Sequence, residues 1–123
     1  MEKNQILWQK NTINFPEALQ RMGGDENFLV ELINDYVNEF HNYYSGLLTA
    51  LRENNFEKIK IIGHTLKGSS AMLSLTLMHR YSAQIEKAGN DGDLVAANKL
   101  IRMMKNESLN LMKLFPISPD IVN

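Results

Sequence analysis

The chain carries three prolines, Pro16, Pro116 and Pro119, and all of them lie near its two ends. Proline breaks a helix more strongly than any other residue, because it lacks a backbone N–H and clashes with the preceding turn. The stretch from Glu17 to Phe115 therefore permits long, uninterrupted helices. The same stretch shows no sustained alternation of apolar and polar residues between turn residues, which is the pattern of a strand. The sequence predicts an all-α fold.

Four successive segments repeat apolar residues every three to four positions, which is the spacing of one helical face. These segments are Phe28–Leu51, Phe56–Leu73, Leu75–Ala88 and Leu94–Phe115. Asp25 is a favourable N-cap before the first, and either Asp91 or Asp93 is one before the fourth. Gly89 and Asn90 are expected to end the third. Short connections favour antiparallel neighbours, so the pattern predicts an up-down four-helix bundle.

The N-terminal region predicts additional short helical pieces packed across the bundle. Asn14 followed by Pro16 is typical of a helix start, and it leads a short helix to Met22. Residues 6–8, Ile-Leu-Trp, predict a further turn over one end of the core. We expect a single domain over residues 1–123, in which 1–13 form a covering segment and 116–123 a frayed tail. Four methionines are interpreted as core filler or its border: Met72, Met78, Met103 and Met104.

Composition excludes several classes of function. With 44% hydrophobic and 22% charged residues, the chain has the usage of an ordinary globular domain, and its net charge of -1 gives no overall attraction to nucleic acid or an anionic membrane. The absence of cysteine excludes disulfides, thiolate metal sites and cysteine nucleophiles. No apolar run is long enough to cross a bilayer, and the first residues lack the apolar core of a secretory signal. We therefore expect a cytoplasmic protein without membrane insertion.

One face of the second bundle helix is unusual for a surface that serves only solubility. Because successive helical residues turn by about 100°, His64 lies about 200° from Ile62 and from Leu66, and it points into water when those two face the core. The whole exposed face consists of Lys60, Ile61, His64, Lys67, Gly68 and Ala71. A glycine inside a helix costs roughly 1 kcal/mol relative to alanine, yet packing requires no small residue at Gly68. Small residues there would let a partner or a phosphoryl group approach the ring.

The side chains on this face suggest a chemistry. A solvent-facing imidazole offers a nucleophilic nitrogen near neutral pH. The ammonium of Lys67, one turn away from His64, can attract an anion and neutralise its charge. The pair suggests transfer of an anionic group to His64. The simpler interpretation is a solvated surface histidine, which also suits His41 and His79, and helical geometry alone leaves both interpretations open.

The segment 64–70, HTLKGSS, resembles the signature H-x-[LI]-K-G-[SA]-[SA] of histidine-containing phosphotransfer (HPt) domains. The segment 21–25, RMGGD, is similar to the residues that precede the family's long second helix, and Ile85-Glu86 is similar to a pair near the end of the helix after the histidine. The resemblance covers residues 14–112. Gly63 departs from it, because the family commonly has alanine before the histidine. Further departures, which affect the expected partner contact, lie at Ala71, Met72 and Ser74.

The resemblance implies that His64 accepts a phosphoryl group from the aspartyl phosphate of a receiver domain and passes it to the aspartate of another. Lys67 would stabilise the phosphoryl group, and Gly68 would give the receiver clearance. The surrounding partner-binding positions are Lys60, Ile61 and Ala71. Such domains do not hydrolyse ATP and hold no metal or other cofactor, since the Mg²⁺ of the transfer belongs to the receiver. The implied partners are response-regulator receiver domains and a hybrid sensor histidine kinase, and we expect a monomeric phosphohistidine carrier.

Three other functions fit parts of the pattern. A histidine autokinase dimerisation bundle also displays a histidine on a helix, but it usually places an acidic residue next, where this chain has Thr65. A carboxylate metal bundle needs Glu-x-x-His pairs, and no glutamate here has a histidine three residues later. A helical adaptor that binds receivers without carrying phosphate would use the same docking face. Docking alone requires neither His64 nor Lys67, which favours the relay over the adaptor.

Overall fold

The computed structural model describes residues 11–115, and this part of the chain forms five α-helices and no strand. The helices are α1 (Phe15–Arg21), α2 (Glu26–Arg52), α3 (Phe56–Met72), α4 (Thr76–Asp91) and α5 (Leu94–Leu114). The expected all-α class is confirmed. None of these helices is long and apolar enough to cross a membrane. The predicted turn at residues 6–8, most of the covering segment 1–13 and the tail 116–123 lie outside the described residues.

Side-chain caps set the starts of four helices. Asn14, Asp25, Asn55 and Asp93 each accept a hydrogen bond from the backbone N–H three residues further on. Such caps satisfy donors that the first turn of a helix leaves unpaired. Asp93 rather than Asp91 is therefore the N-cap of α5, because Asp91 is still the last residue of α4.

Helices α2 to α5 form the expected antiparallel up-down bundle. Connections of only two or three residues make each helix run back along the one before it. Helix α2 contacts α3 and α5, and α4 also contacts α3 and α5, so the four helices close a ring. Each helix sends buried apolar side chains to the centre, among them Phe40, Leu66, Ile85 and Ile101. Helix α1 packs against α2 at the end of the bundle where α3 stops and α4 starts.

The predicted end of the third bundle helix is wrong. Helix α4 continues through Gly89 and Asn90 to Asp91, and Gly92 takes the left-handed backbone, φ 68°, that stops it. Gly89 is instead a packing residue. A Cβ atom at Gly89 would lie 2.5 Å from the backbone N of Lys60, so α3 and α4 approach each other closely there. Sequence alone does not separate these two uses of glycine.

Several apolar residues assigned to the core stripes lie at the surface. Phe28, Leu48 and Leu94 are exposed, and the last two line an open apolar groove between α2 and α5. Met72, expected to be core filler or its border, is 63% exposed at the last position of α3. Met78 and Met104 are fully buried as expected, and Met103 lies at the border.

Candidate functional site

Helix α3 presents His64 to solvent, as its helical phase predicts. Ile62 and Leu66 are buried in the core, whereas the side chain of His64 is 70% exposed. The imidazole thus stands on the outside of the bundle, where a partner molecule can reach it. Since α3 is fixed to the core on its other face, the ring is held on a rigid element rather than on a loop.

Glu86 of α4 contacts both His64 and Lys67, the two candidate functional side chains of α3. Its Oε2 lies 2.9 Å from Nδ1 of His64, and its Oε1 accepts a hydrogen bond from Nζ of Lys67 at 2.5 Å. The glutamate is only 23% exposed, and Lys67 is 34% exposed. One carboxylate therefore joins the histidine and the lysine, which stand almost one turn apart on the same helix.

The charge state of Glu86 decides which imidazole nitrogen is available. The hydrogen bond from Lys67 lowers the pKa of Glu86 below its ordinary value; partial burial opposes this shift, and the hydrogen bond from His64 adds to it. Glu86 is therefore a carboxylate at neutral pH, and a carboxylate only accepts hydrogen bonds. Nδ1 of His64 must then carry the proton of this contact. In the neutral ring, the lone pair is on Nε2, the nitrogen farther from Glu86.

The exposed surface beside His64 is apolar and open. Ile61, one turn before His64, is 56% exposed, and Met72 extends the apolar surface toward the end of α3. A Cβ atom at Gly68 would meet nothing within 4 Å, so the fold itself leaves this position free. Of the predicted partner-binding residues, Ile61 is thus exposed, whereas Lys60 and Ala71 are half-buried and lie at the margins.

Helix α1 braces the end of α3 that carries this surface. The Nη1 atom of Arg21 donates to the backbone oxygens of Ala71 and Met72, the last two carbonyls of α3, and the first of these also accepts from the Ser74 N–H. Glu17 accepts from Nη2 of the same arginine at 2.9 Å and from the Ser74 hydroxyl, also at 2.9 Å. Arg21, the first residue of the RMGGD segment, therefore ties α1 to the α3–α4 connection.

Sequence reasoning assigned no role to Glu86 or to Gly63. The sequence feature that could have indicated Glu86 is the Ile85-Glu86 pair. Ile85 is buried, so the next residue on α4 lies at the edge of the core and close to α3. Within residues 11–115, no group of three or more histidine, aspartate or glutamate side chains is placed to hold a metal ion. His79 lies on the same side of the bundle as Lys67, and its Nδ1 is 3.2 Å from the Lys67 backbone oxygen.

The chain is similar in sequence to known proteins over about two thirds of its length. Residues 31–112 match the family described as the Hpt domain. The chain is 28% identical over 92 residues to multistep phosphorelay regulator 1 of Schizosaccharomyces pombe, an alignment that covers 72% of this chain and 31% of that protein. It is 30% identical over 76 residues to the phosphorelay intermediate protein YPD1 of Candida albicans, which covers 62% of this chain and 41% of that protein.

The matched region thus spans less than half the length of these two relatives. No solved structure gives a significant match. The family match extends over two thirds of the chain and includes the histidine, the lysine and the glutamate of the site. The chain belongs to the Hpt domain family.

Proposed function

We propose that this chain is a phosphorelay intermediate that carries a phosphoryl group on His64. The observation that supports it most directly is the contact between Glu86 and Nδ1 of His64, which leaves the lone pair of Nε2 free to attack on a side chain that is 70% exposed. Both relatives bear names of phosphorelay proteins. A histidine that served only solubility would need neither the half-buried carboxylate of Glu86 nor the paired lysine.

In the proposed step, Nε2 of His64 attacks the phosphorus of a receiver's aspartyl phosphate. The N–P bond forms as the P–O bond to the aspartate breaks, and the aspartate leaves as a carboxylate with the electron pair. The ring becomes an imidazolium because Nδ1 keeps its proton, and Glu86 compensates that positive charge through the existing contact. Transfer to a second receiver is the same step in reverse, with a different aspartate as the acceptor.

Lys67 supplies the positive charge for the phosphoryl oxygens in this scheme. In the structure its ammonium is bound to Glu86, so it is held close to His64 before any phosphoryl group arrives. A phosphoryl group on Nε2 brings two negative charges beside the glutamate, and Lys67 can then turn from the carboxylate toward the phosphoryl oxygens. Preorganised charge of this kind lowers the barrier to phosphoryl transfer.

The proposed partners are receiver domains, with a hybrid sensor kinase as the source of phosphate. The open surface formed by Ile61, Gly68 and Met72 would accept the receiver, and the Mg²⁺ of the reaction would lie in the receiver's site. The chain would then act as a carrier and not as an autokinase, and it would work as a monomer. A small interface with an apolar centre is typical of transient signalling contacts.

The experiment that tests this function is phosphate transfer from several phosphorylated receiver domains to the purified chain. We expect an acid-labile, base-stable phosphate on the wild type and none on a correctly folded His64→Gln variant. His79→Gln is the matched control, because His79 is exposed on the same side of the bundle but has no carboxylate partner among the described contacts. Equal labelling of the wild type and His64→Gln would refute the site. Binding of receivers without labelling would favour the adaptor.

A further inference from the structure

At Gly63, the residue before His64, the backbone of α3 packs directly against the backbone of α4. A Cβ atom at Gly63 would lie 2.6 Å from the backbone N of Glu86, 2.9 Å from its Cα and 2.9 Å from Cγ2 of Ile85. Separations below 3.0 Å are too short for a real Cβ contact, because carbon atoms approach to only about 3.5–4.0 Å. Two of these atoms belong to the backbone, so no side-chain rotation makes room for the Cβ.

A second contact of the same kind lies three residues away on each helix. At Gly89, a Cβ atom would lie 2.5 Å from the backbone N of Lys60 and 2.8 Å from its Cα. Lys60 is three residues before Gly63, and Gly89 is three residues after Glu86, so both contacts belong to one antiparallel register. Helices α3 and α4 therefore touch backbone to backbone over about one turn, with one glycine on each side.

This contact places the functional carboxylate. The residue whose backbone packs on Gly63 is Glu86, the same residue whose side chain reaches His64 at 2.9 Å and Lys67 at 2.5 Å. Resting on the proposed relay function, we propose that Gly63 is a positioning residue: its missing side chain sets the α3–α4 distance at which Glu86 holds His64 in the Nδ1–H form. A side chain at position 63 would move the α4 backbone away by about 1 Å. The His64–Glu86 contact would then exceed hydrogen-bond distance.

The test is Gly63→Ala, measured in two ways on the full chain. The first is the tautomer of His64, read from the ¹⁵N chemical shifts of its two ring nitrogens. We expect the Nδ1–H form in the wild type and a shift toward the Nε2–H form in Gly63→Ala. The second is the rate of phosphate transfer from a receiver, which we expect to fall by roughly 10-fold or more. Ile101→Val in α5 is the control, because it should lower the melting temperature by a similar amount to Gly63→Ala. It should change neither the tautomer of His64 nor the rate of transfer.

A double variant shows whether Gly63 acts through the carboxylate. If it does, Gly63→Ala adds no further tautomer shift to Glu86→Ala, because both changes remove the contact between Glu86 and Nδ1 of His64. If Gly63→Ala does not fold, Gly89→Ala opens the same helix pair one turn away and is expected to shift the tautomer in the same direction.

Two results would overturn the proposal. One is a folded Gly63→Ala variant whose His64 tautomer is the same as in the wild type. The other is a wild-type protein in which His64 is not in the Nδ1–H form. The tautomer measurement needs no receiver, either for the wild type or for the variants. An unlabelled wild type would therefore refute the relay function while the positioning role is still measured.

Discussion

Replacing Gly68 by alanine should make the protein more stable and the relay slower. Alanine is better than glycine in a helix interior by about 0.8–1 kcal/mol. No opposing packing cost arises, because a Cβ atom at position 68 meets nothing within 4 Å. We therefore expect Gly68→Ala to raise the free energy of unfolding by about 1 kcal/mol, which corresponds to a melting temperature about 3–6 °C higher for a chain of this size.

The same substitution at Gly63 should lower the free energy of unfolding instead of raising it, and it serves as the comparison. The helix gain is again about 1 kcal/mol, but a Cβ 2.6 Å from the Glu86 backbone introduces overpacking, which typically costs 1–3 kcal/mol. Urea unfolding followed by circular dichroism measures both variants. A destabilised Gly68→Ala would refute the open position that the structure shows.

The functional part of this prediction concerns clearance for the receiver. A methyl group at position 68 projects from the surface that carries His64, so we expect transfer to slow by roughly 10-fold or more, the scale produced by a misplacement of about 1 Å. Asn98→Ala on the exposed side of α5 is the control, because it also raises helix propensity but lies away from the site. If Gly68→Ala transfers phosphate as fast as the wild type, clearance is not the reason for this glycine.

Two further substitutions test the charges around His64. Lys67→Ala should slow phosphate transfer while His64 is still the acceptor, since the phosphoryl group loses its nearby cation. Single-turnover rates measure this effect. An unchanged rate would mean that Lys67 is only an ion-pair partner of Glu86. Glu86→Gln should remove a stabilisation that depends on pH. The pKa of Glu86 is lowered from 4.5, so the wild type should be more stable than the variant above about pH 4.5. It should lose this advantage as the pH falls through the lowered pKa. Urea titrations from pH 7 to pH 3 measure the difference in the free energy of unfolding, and a difference that does not change with pH would contradict the ion pair.

Features that depend on one helix could be predicted from the sequence. The cap at Asp25, the buried phase of Ile62 and Leu66, and the outward direction of His64 all follow from 3.6 residues per turn and from local hydrogen bonding. Gly68 belongs to the same class, because its exposure follows from the phase of α3. These features need no knowledge of which helix lies alongside.

Features that depend on the register between helices could not be predicted. Glu86 is 22 residues from His64, and whether it reaches the ring depends on how far α4 slides along α3 and how closely it packs. Gly89 illustrates the same difficulty. In the sequence, a glycine before Asn90 is typical of a helix end, whereas in the structure a glycine is needed at this position because the backbone of Lys60 packs against it. Met72 was misassigned for a related reason: the stripe places it near the core, but α3 ends there and nothing covers it.

The structure also bears on why a relay intermediate would hold its histidine so openly. A carrier must accept a phosphoryl group and give it up again, so a site that bound the group very tightly would trap it. In the proposed relay, Glu86 would compensate the charge of the ring and Lys67 that of the phosphoryl oxygens, and the side chain of His64 is 70% exposed. Charges this close to water are screened and stabilise the bound group only modestly. In the proposed relay, the fold would thus fix through α4 which ring nitrogen attacks, and it would leave most of the binding of the phosphoryl group to the receiver.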